Sequence, residues 1–156
     1  MPHVSRLVAL SAAALLAWPV AAQTIDPSKC PIPVDTLSKA LGQPLTVVFQ
    51  GRAIIGQGCE YVNAKRTLKL AVDGGPNPAP SADAWRKMSN PPGTTWRAVP
   101  NDPDKAMLKA TGPNGPVAPT LSYERKGWLV ELTLITETGN ADQWRDKLLK
   151  LPRIPQ

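Results

Sequence analysis

Two stretches of strict alternation constrain this chain more than any other feature. In Thr67-Leu68-Lys69-Leu70-Ala71-Val72-Asp73 the apolar residues Leu68, Leu70 and Val72 fall on one side, with Lys69 and Asp73 on the other. In Trp128 to Ile135, the residues Trp128, Val130, Leu132 and Leu134 share a side. Successive side chains of a strand point to opposite faces. Each stretch therefore reads as a strand with one face in a core and the other toward water, the pattern of an antiparallel sheet half buried under helices.

The rest of the chain supplies partners for those strands. Leu45 to Phe49 is rich in β-branched residues, and a further strand centres on Cys59 and Tyr61 between Gly56 and Gly58 and the polar turn Asn63-Ala64-Lys65-Arg66. Pro119 to Glu124 completes a hairpin with the second alternating stretch, turning at Arg125-Lys126-Gly127, and a short strand is expected at Thr95 to Val99. Lys105 to Ala110 is compatible with a helical turn or an edge strand. Three helices are expected. Val34, Leu37 and Leu41 make an apolar face that Gly42 ends and Pro44 blocks. Ser81 caps a helix over 82–88 with Trp85 and Met88 on one face. The last runs from near Asn140 to Pro152 with a stripe of Ala141, Trp144, Leu148 and Leu151. The fold class is α+β, an antiparallel sheet with helices packed on one face. A β-β-α unit recurs loosely: Tyr61 and Tyr123 are offset by 62, as are Leu68, Leu70 and Val72 from Val130, Leu132 and Leu134, while Ala82-Asp83-Ala84-Trp85-Arg86 matches Ala141-Asp142-Gln143-Trp144-Arg145 at 59. A real tandem repeat and chance likeness of two amphipathic units both remain open.

The first 22 residues read as a secretory signal, with Arg6 as the charged start, an apolar run from Leu7 to Trp18 and small residues at Val20-Ala21-Ala22. Removing 22 of the 156 residues leaves 134, enough for one domain. The expected organisation is signal 1–22, an extended leader 23–33, a domain 34–151 and a tail 152–156, located in the periplasm or secreted, with no transmembrane segment in the mature chain. Loss of the signal takes Arg6 and His3, so Lys+Arg falls from 18 to 17 against 12 acidic residues and no histidine remains. Cys30 and Cys59 are the only cysteines. In an exported chain such a pair reads as a structural disulfide; its loop is worth about 3.5 kcal/mol in the chain-entropy account. A redox pair is the alternative, but such cysteines usually sit two residues apart at a helix start.

Cys30, the helix end Ala40-Leu41-Gly42 and the strand Gly58-Cys59-Glu60-Tyr61 resemble small secreted two-cysteine bacterial envelope domains of unknown function. Where those domains often carry Val-Pro-Gly and Gly-Asp-x-Ala segments, this chain has Val99-Pro100-Asn101 and Pro103-Asp104-Lys105-Ala106, lacking both glycines. The tandem layout is also similar to that of β-lactamase inhibitor proteins. Neither resemblance implies catalytic residues.

Without histidine in the mature chain there is no Ser-His-Asp or Cys-His arrangement. The mature chain also lacks Ser-x-x-Lys, and two distant cysteines cannot make a zinc site. Asn101-Asp102-Pro103-Asp104 lacks the glycine and distal Glu of a calcium loop, and Glu60, Glu124 and Glu131 read as solvent-facing strand residues. The expectation is no catalysis, no cofactor, no metal and no nucleic acid. Contact residues are sought instead among Trp96, Arg97 and Trp128, because Trp and Arg are enriched at interface hot spots. The basic turns Lys65-Arg66 and Arg125-Lys126 are further candidates. If the repeat is real they form one positive end of the sheet, suited to anionic envelope material. The function expected is a non-catalytic periplasmic binding or accessory module for a protein partner or an anionic envelope component. The rivals are an inhibitor-like protein docking one enzyme and a carboxylate-based envelope hydrolase.

Overall fold

A one-sided strand must bury its apolar face, and the two alternating stretches do so side by side. A computed structural model describes residues 25–76, 81–88, 95–110, 118–137 and 141–156; the signal-like segment 1–22 lies outside them. After a 3-10 turn at Pro27–Lys29 come α1 (Val34–Leu41), β1 (Leu45–Ala53), β2 (Gly56–Asn63), β3 (Leu68–Pro76) and α2 (Ala82–Met88). β4 (Thr95–Ala98), β5 (Met107–Ala110), β6 (Thr120–Arg125), β7 (Trp128–Thr136) and α3 (Ala141–Leu149) follow. The strands form one antiparallel sheet in the order β1-β2-β3-β7-β6-β5-β4. The alternating strands β3 and β7 are its central pair, with Leu70 opposite Leu134 and Val72 opposite Leu132. β1 continues beyond Phe49 to Ala53 around a bulge between Val47 and Phe49. The ambiguous stretch at 105–110 resolves as strand β5, because its partner β6 offers an unpaired edge.

The main core lies on the face that carries Tyr61, Leu70, Val72, Leu121, Tyr123, Val130, Leu132 and Leu134. Leu37 and Leu41 of α1 and Trp144 and Leu148 of α3 close it. Burying each such side chain stabilises by about 1.5–3 kcal/mol. α1 ends at Gly42, whose φ of 74° is left-handed and whose N–H reaches the Ser38 carbonyl at 3.0 Å. Lys147 of α3 donates to the Leu41 carbonyl at 3.1 Å, joining the two helices at this end.

The helices do not all share that face, contrary to expectation. Residues of α2 meet Leu129, Ser122 and Glu124, which alternate along β6 and β7 with the core-facing Val130, Leu121 and Tyr123. α2 therefore lies on the opposite face, where Leu129 and Ile55 give Ala82 and Trp85 an apolar seat. Its expected apolar stripe fails for the same reason. Met88 is 70% exposed, and besides Ala82 the buried residue is Arg86 at 7%, donating to Ser122 Oγ at 3.2 Å and to Asp83 at 2.7 Å. Over a largely polar sheet face, a guanidinium that finds acceptors seats the helix better than a thioether would.

The expected domain limits at 34 and 151 do not separate packed from unpacked chain. Ile32 of the leader and Ile154 of the tail are 1% and 4% exposed and belong to the main core. Each is fixed by one of the two offset tyrosines. Tyr61 Oη donates to the Ile32 carbonyl at 2.7 Å, and Tyr123 Oη accepts from the Ile154 amide at 2.9 Å. Burial raises both phenols, Tyr61 to about 12. The two hairpins thus correspond in packing as well as in sequence, whereas α2 and α3, on opposite faces, do not.

Candidate functional site

Cys30 and Cys59 are bonded, with a Cα separation of 5.8 Å, and both are buried. The bridge ties the leader to β2 beneath α1. It is a staple at the core rather than an accessible redox pair.

The basic turns do not form one end. β3 and β7 run antiparallel, pairing Leu68 with Thr136 and Pro76 with Trp128. Lys65 and Arg66 precede Leu68, whereas Arg125 and Lys126 precede Trp128. At about 3.4 Å per residue the two turns lie roughly 27 Å apart at opposite ends of the sheet. That is several screening lengths in physiological salt, so their fields do not combine. The two turns also differ in employment. Arg125 grips Asp104 with both carboxylate oxygens at 3.1 Å and donates to the Pro155 carbonyl at 3.0 Å. Lys126 Nζ reaches the Gln156 main-chain oxygen at 2.6 Å. Arg153 pairs with Asp102 and stacks on Tyr123, 4.5 Å from the ring centroid. These cations hold the tail against the sheet. Lys65 and Arg66 are exposed. The turn at 101–104 is likewise structural, with Asp102 Oδ1 capping the Asp104 amide at 2.9 Å.

Trp96 and Arg97 are neighbours on β4 and so point to opposite faces. Trp96 is half-buried beneath Lys109, whose Nζ lies 5.3 Å from the ring centroid. Arg97 is exposed and lines a cleft of about 320 Å³ with Arg145, Asp146 and Leu149. A third candidate, Trp128, stands roughly a strand's length away from β3's start and makes a different site.

The opposite sheet face carries two carboxyls raised by burial. Asp73 of β3 and Glu131 of β7 are direct cross-strand partners. Like charges in that relation repel. Burial, reinforced by the charges of Glu131 and Glu60, raises Asp73 to about 6, with Lys69 opposing. Burial also raises Glu131, against the pull of Lys109, Trp85, Arg86 and Ser122. The Trp85 indole N–H is oriented toward Glu131 without closing to full hydrogen-bond geometry, so Glu131 Oε1 and Trp85 Nε1 are buried with no close hydrogen-bond partner among the described residues. Glu131 is therefore not the solvent-facing carboxylate expected. Glu60 is partly exposed and paired to Lys69 at 2.8 Å. Gly58, opposite Asp73 on β2, makes room for this carboxyl, because a Cβ there would collide with Asp73 Oδ1. No three of His, Cys, Asp and Glu among the described residues are placed to hold a metal ion. No described helix is long and apolar enough to cross a membrane.

On the core-side face, beyond the reach of the helices, Trp128 borders a cleft of about 320 Å³ with Arg52, Gly56, Gln57, Gly74, Gly75 and Pro76. The register lines these residues up. Arg52 faces Gln57, Gln57 faces Gly74, and Pro76 faces Trp128. Alternation places a side chain at position 74 in the core row after Val72, and glycine leaves that place empty. The chain matches no family model, and comparison with curated proteins and with solved structures finds no similar protein. The site is therefore read from its own chemistry. Trp128 is half-buried, packed on the core at one side. Arg52 and Gln57 are exposed, and their side chains make no hydrogen bond or ion pair with other described residues. The signal that marks the cleft is the glycine where β3's alternation calls for an apolar residue.

Proposed function

We infer that the mature protein is a non-catalytic binding or accessory module of the bacterial periplasm, engaging its partner through the sheet end that carries Trp128. The observation that carries this reading is the Trp128 cleft. It combines a half-exposed indole with a guanidinium and an amide that no other described residue engages, around a floor of main chain. Binding sites typically join one large apolar surface with a few convergent polar groups. The buried disulfide suits an oxidising compartment. The signal-like segment 1–22 and the likeness to secreted envelope domains support export.

The carboxylate-hydrolase reading fares less well. Asp73 and Glu131 border neither the Trp128 cleft nor the Arg97 cleft, and a cleft of about 540 Å³ between α2 and the 103–107 segment is lined instead by Asp83, Asp104 and Glu124, which are held by Arg86, Arg125 and the Ala82 amide. The sheet face that Asp73 and Glu131 occupy is the one on which α2 is seated. An inhibitor-like protein is the alternative within the binding class, and Trp96 with Arg97 does not supply its contact patch, since the two residues face apart.

The deciding experiment is recovery of bound material from envelope extract on the oxidised mature protein, with Trp128→Ala and Trp96→Ala variants alongside. Retention by the Trp96 variant and loss by the Trp128 variant is expected. Equal retention by both places the contact elsewhere and refutes the assignment to this end.

A further inference from the structure

The Trp128 cleft has a shape that selects among ligands. A Cβ built on Gly74 would lie 3.5 Å from Val130 Cγ2, 3.6 Å from Trp128 Cε3 and 3.7 Å from the Leu129 carbonyl oxygen. These are ordinary contact distances, so the six-membered ring of the indole stands directly beside an empty side-chain position. Gly56 and Gly75 are different. A Cβ on Gly75 would collide with the Ile55 carbonyl, and one on Gly56 with the Gly74 carbonyl. Those two glycines are required by the close approach of two main-chain segments. Gly74 is not required by packing, and what it provides is a trough. The trough has an aromatic wall at Trp128, and across β3 it has the amide of Gln57 and the guanidinium of Arg52 on one cross-strand row.

We propose that this trough binds an acidic saccharide, with a sugar ring against Trp128, its hydroxyls on Gln57 and its carboxylate or phosphate on Arg52. An indole face is electron-rich, and the axial C–H groups on one face of a pyranose are flat and weakly positive. A sugar ring therefore stacks where a branched aliphatic ligand does not. The walls across from the indole are polar, which disfavours a lipid chain. An amide offers one donor and one acceptor group to vicinal hydroxyls. Arg52 is the group that selects for charge, because a guanidinium matches carboxylate and phosphate in bidentate geometry. Its counter-charge is not supplied by the described residues. The proposal rests on the binding-module reading and names the ligand class of the same cleft.

The test titrates the oxidised mature protein with three probes, by calorimetry and by tryptophan fluorescence. They are a disaccharide of N-acetylglucosamine and N-acetylmuramic acid, a phosphorylated disaccharide, and neutral diacetylchitobiose. At least one acidic probe is expected to bind tenfold or more tightly than the neutral one, a difference of about 1.4 kcal/mol, because a hydrogen bond to a charged group is stronger than one between neutral groups. Which acidic probe binds distinguishes carboxylate from phosphate. Arg52→Gln is expected to bring acidic and neutral probes within about twofold of each other. Gly74→Ala is expected to weaken binding by at least about tenfold without lowering the melting temperature, because its methyl fills the trough and its backbone conformation is unstrained. That variant keeps the test sound if Trp128→Ala unfolds. Equal affinity for all three probes, or full binding by a folded Gly74→Ala protein, overturns the proposal. Absence of binding to every probe also overturns it. If envelope extract then yields a protein that Gly74→Ala no longer retains, the saccharide is wrong and the binding-module reading stands.

Discussion

Replacing Asp73 by asparagine is expected to stabilise this protein at neutral pH and to remove much of its pH dependence. The Asp73 carboxyl titrates near 6 in the folded chain against an ordinary 3.8, chiefly through burial and then through Glu131 and Glu60. An acid whose folded value is raised binds its proton more tightly when folded. Its favourable contribution is complete below pH 3.8 and is lost as pH rises through 6. The gap corresponds to a ceiling of about 3 kcal/mol. Asp73 is partly exposed, so solvent screening reduces this to about 1–2 kcal/mol. Wild-type protein is therefore expected to lose that amount between pH 3.8 and pH 7.5, with at most about half of it lost between pH 5 and pH 7.5. Asp73→Asn, with no charge to lose, is expected to gain a similar amount at pH 7.5 and to differ little from wild type near pH 4. Urea unfolding at several pH values, followed by tryptophan fluorescence, measures both curves. A wild-type stability that is flat from pH 5 to 7.5, or an asparagine variant weaker than wild type at pH 7.5, refutes the reasoning.

Reduction of the Cys30–Cys59 bridge is expected to add the mass of two hydrogens and to lower stability by about 3 kcal/mol, because it reopens a 29-residue loop in the unfolded chain; intact-mass spectrometry with paired melting curves checks it. Trp144→Ala removes a side chain that is 9% exposed and is expected to cost about 3–5 kcal/mol in denaturant unfolding. Tyr123→Phe leaves the Ile154 amide without its acceptor and is expected to cost about 1–3 kcal/mol. Faster hydrogen exchange at that amide, with the core strands still protected, identifies the tail as the part released. Gly75→Ala is expected to destabilise strongly where Gly74→Ala does not, by thermal melting, because only the former meets main chain.

The sheet was legible because its signal is period two and local. Leu68 to Val72 and Val130 to Leu134 declare a face without knowledge of their neighbours, and the register confirms both. The staple was legible for a similar reason, since in a chain with two cysteines each has a single candidate partner. The side on which a helix lands depends on long-range competition between faces, and α2 shows it. Trp85 and Met88 suggest an apolar stripe, but Leu129 and Ser122 on the far face decide the outcome. Strand order was equally invisible. Without it, a tandem repeat would put the two basic turns at one end, whereas the antiparallel β3–β7 pair carries them to opposite ends. The tail residue Ile154 escaped notice because a lone isoleucine between prolines has no periodicity. Of the contact residues chosen from sequence, Trp128 borders a cleft and Arg97 another, whereas Arg125 and Lys126 serve the fold. Arg52, Gln57 and Gly74 gave no individual signal and became visible only as a cross-strand row.

The antiparallel meeting of β3 and β7 also puts two similar hairpins under different constraints. Each contributes a buried tyrosine and a basic turn, yet the turn at 125–126 is committed to Asp104 and the tail. The turn at 65–66 faces solvent. Changes at Lys65 break no hydrogen bond or ion pair to a described side chain, and those at Arg66 are limited by its own left-handed backbone, with φ of 56°, while changes at Arg125 and Lys126 loosen five residues of chain. Likeness of sequence in this protein is thus no guide to likeness of constraint: one turn answers to its own backbone, and its counterpart also holds the tail.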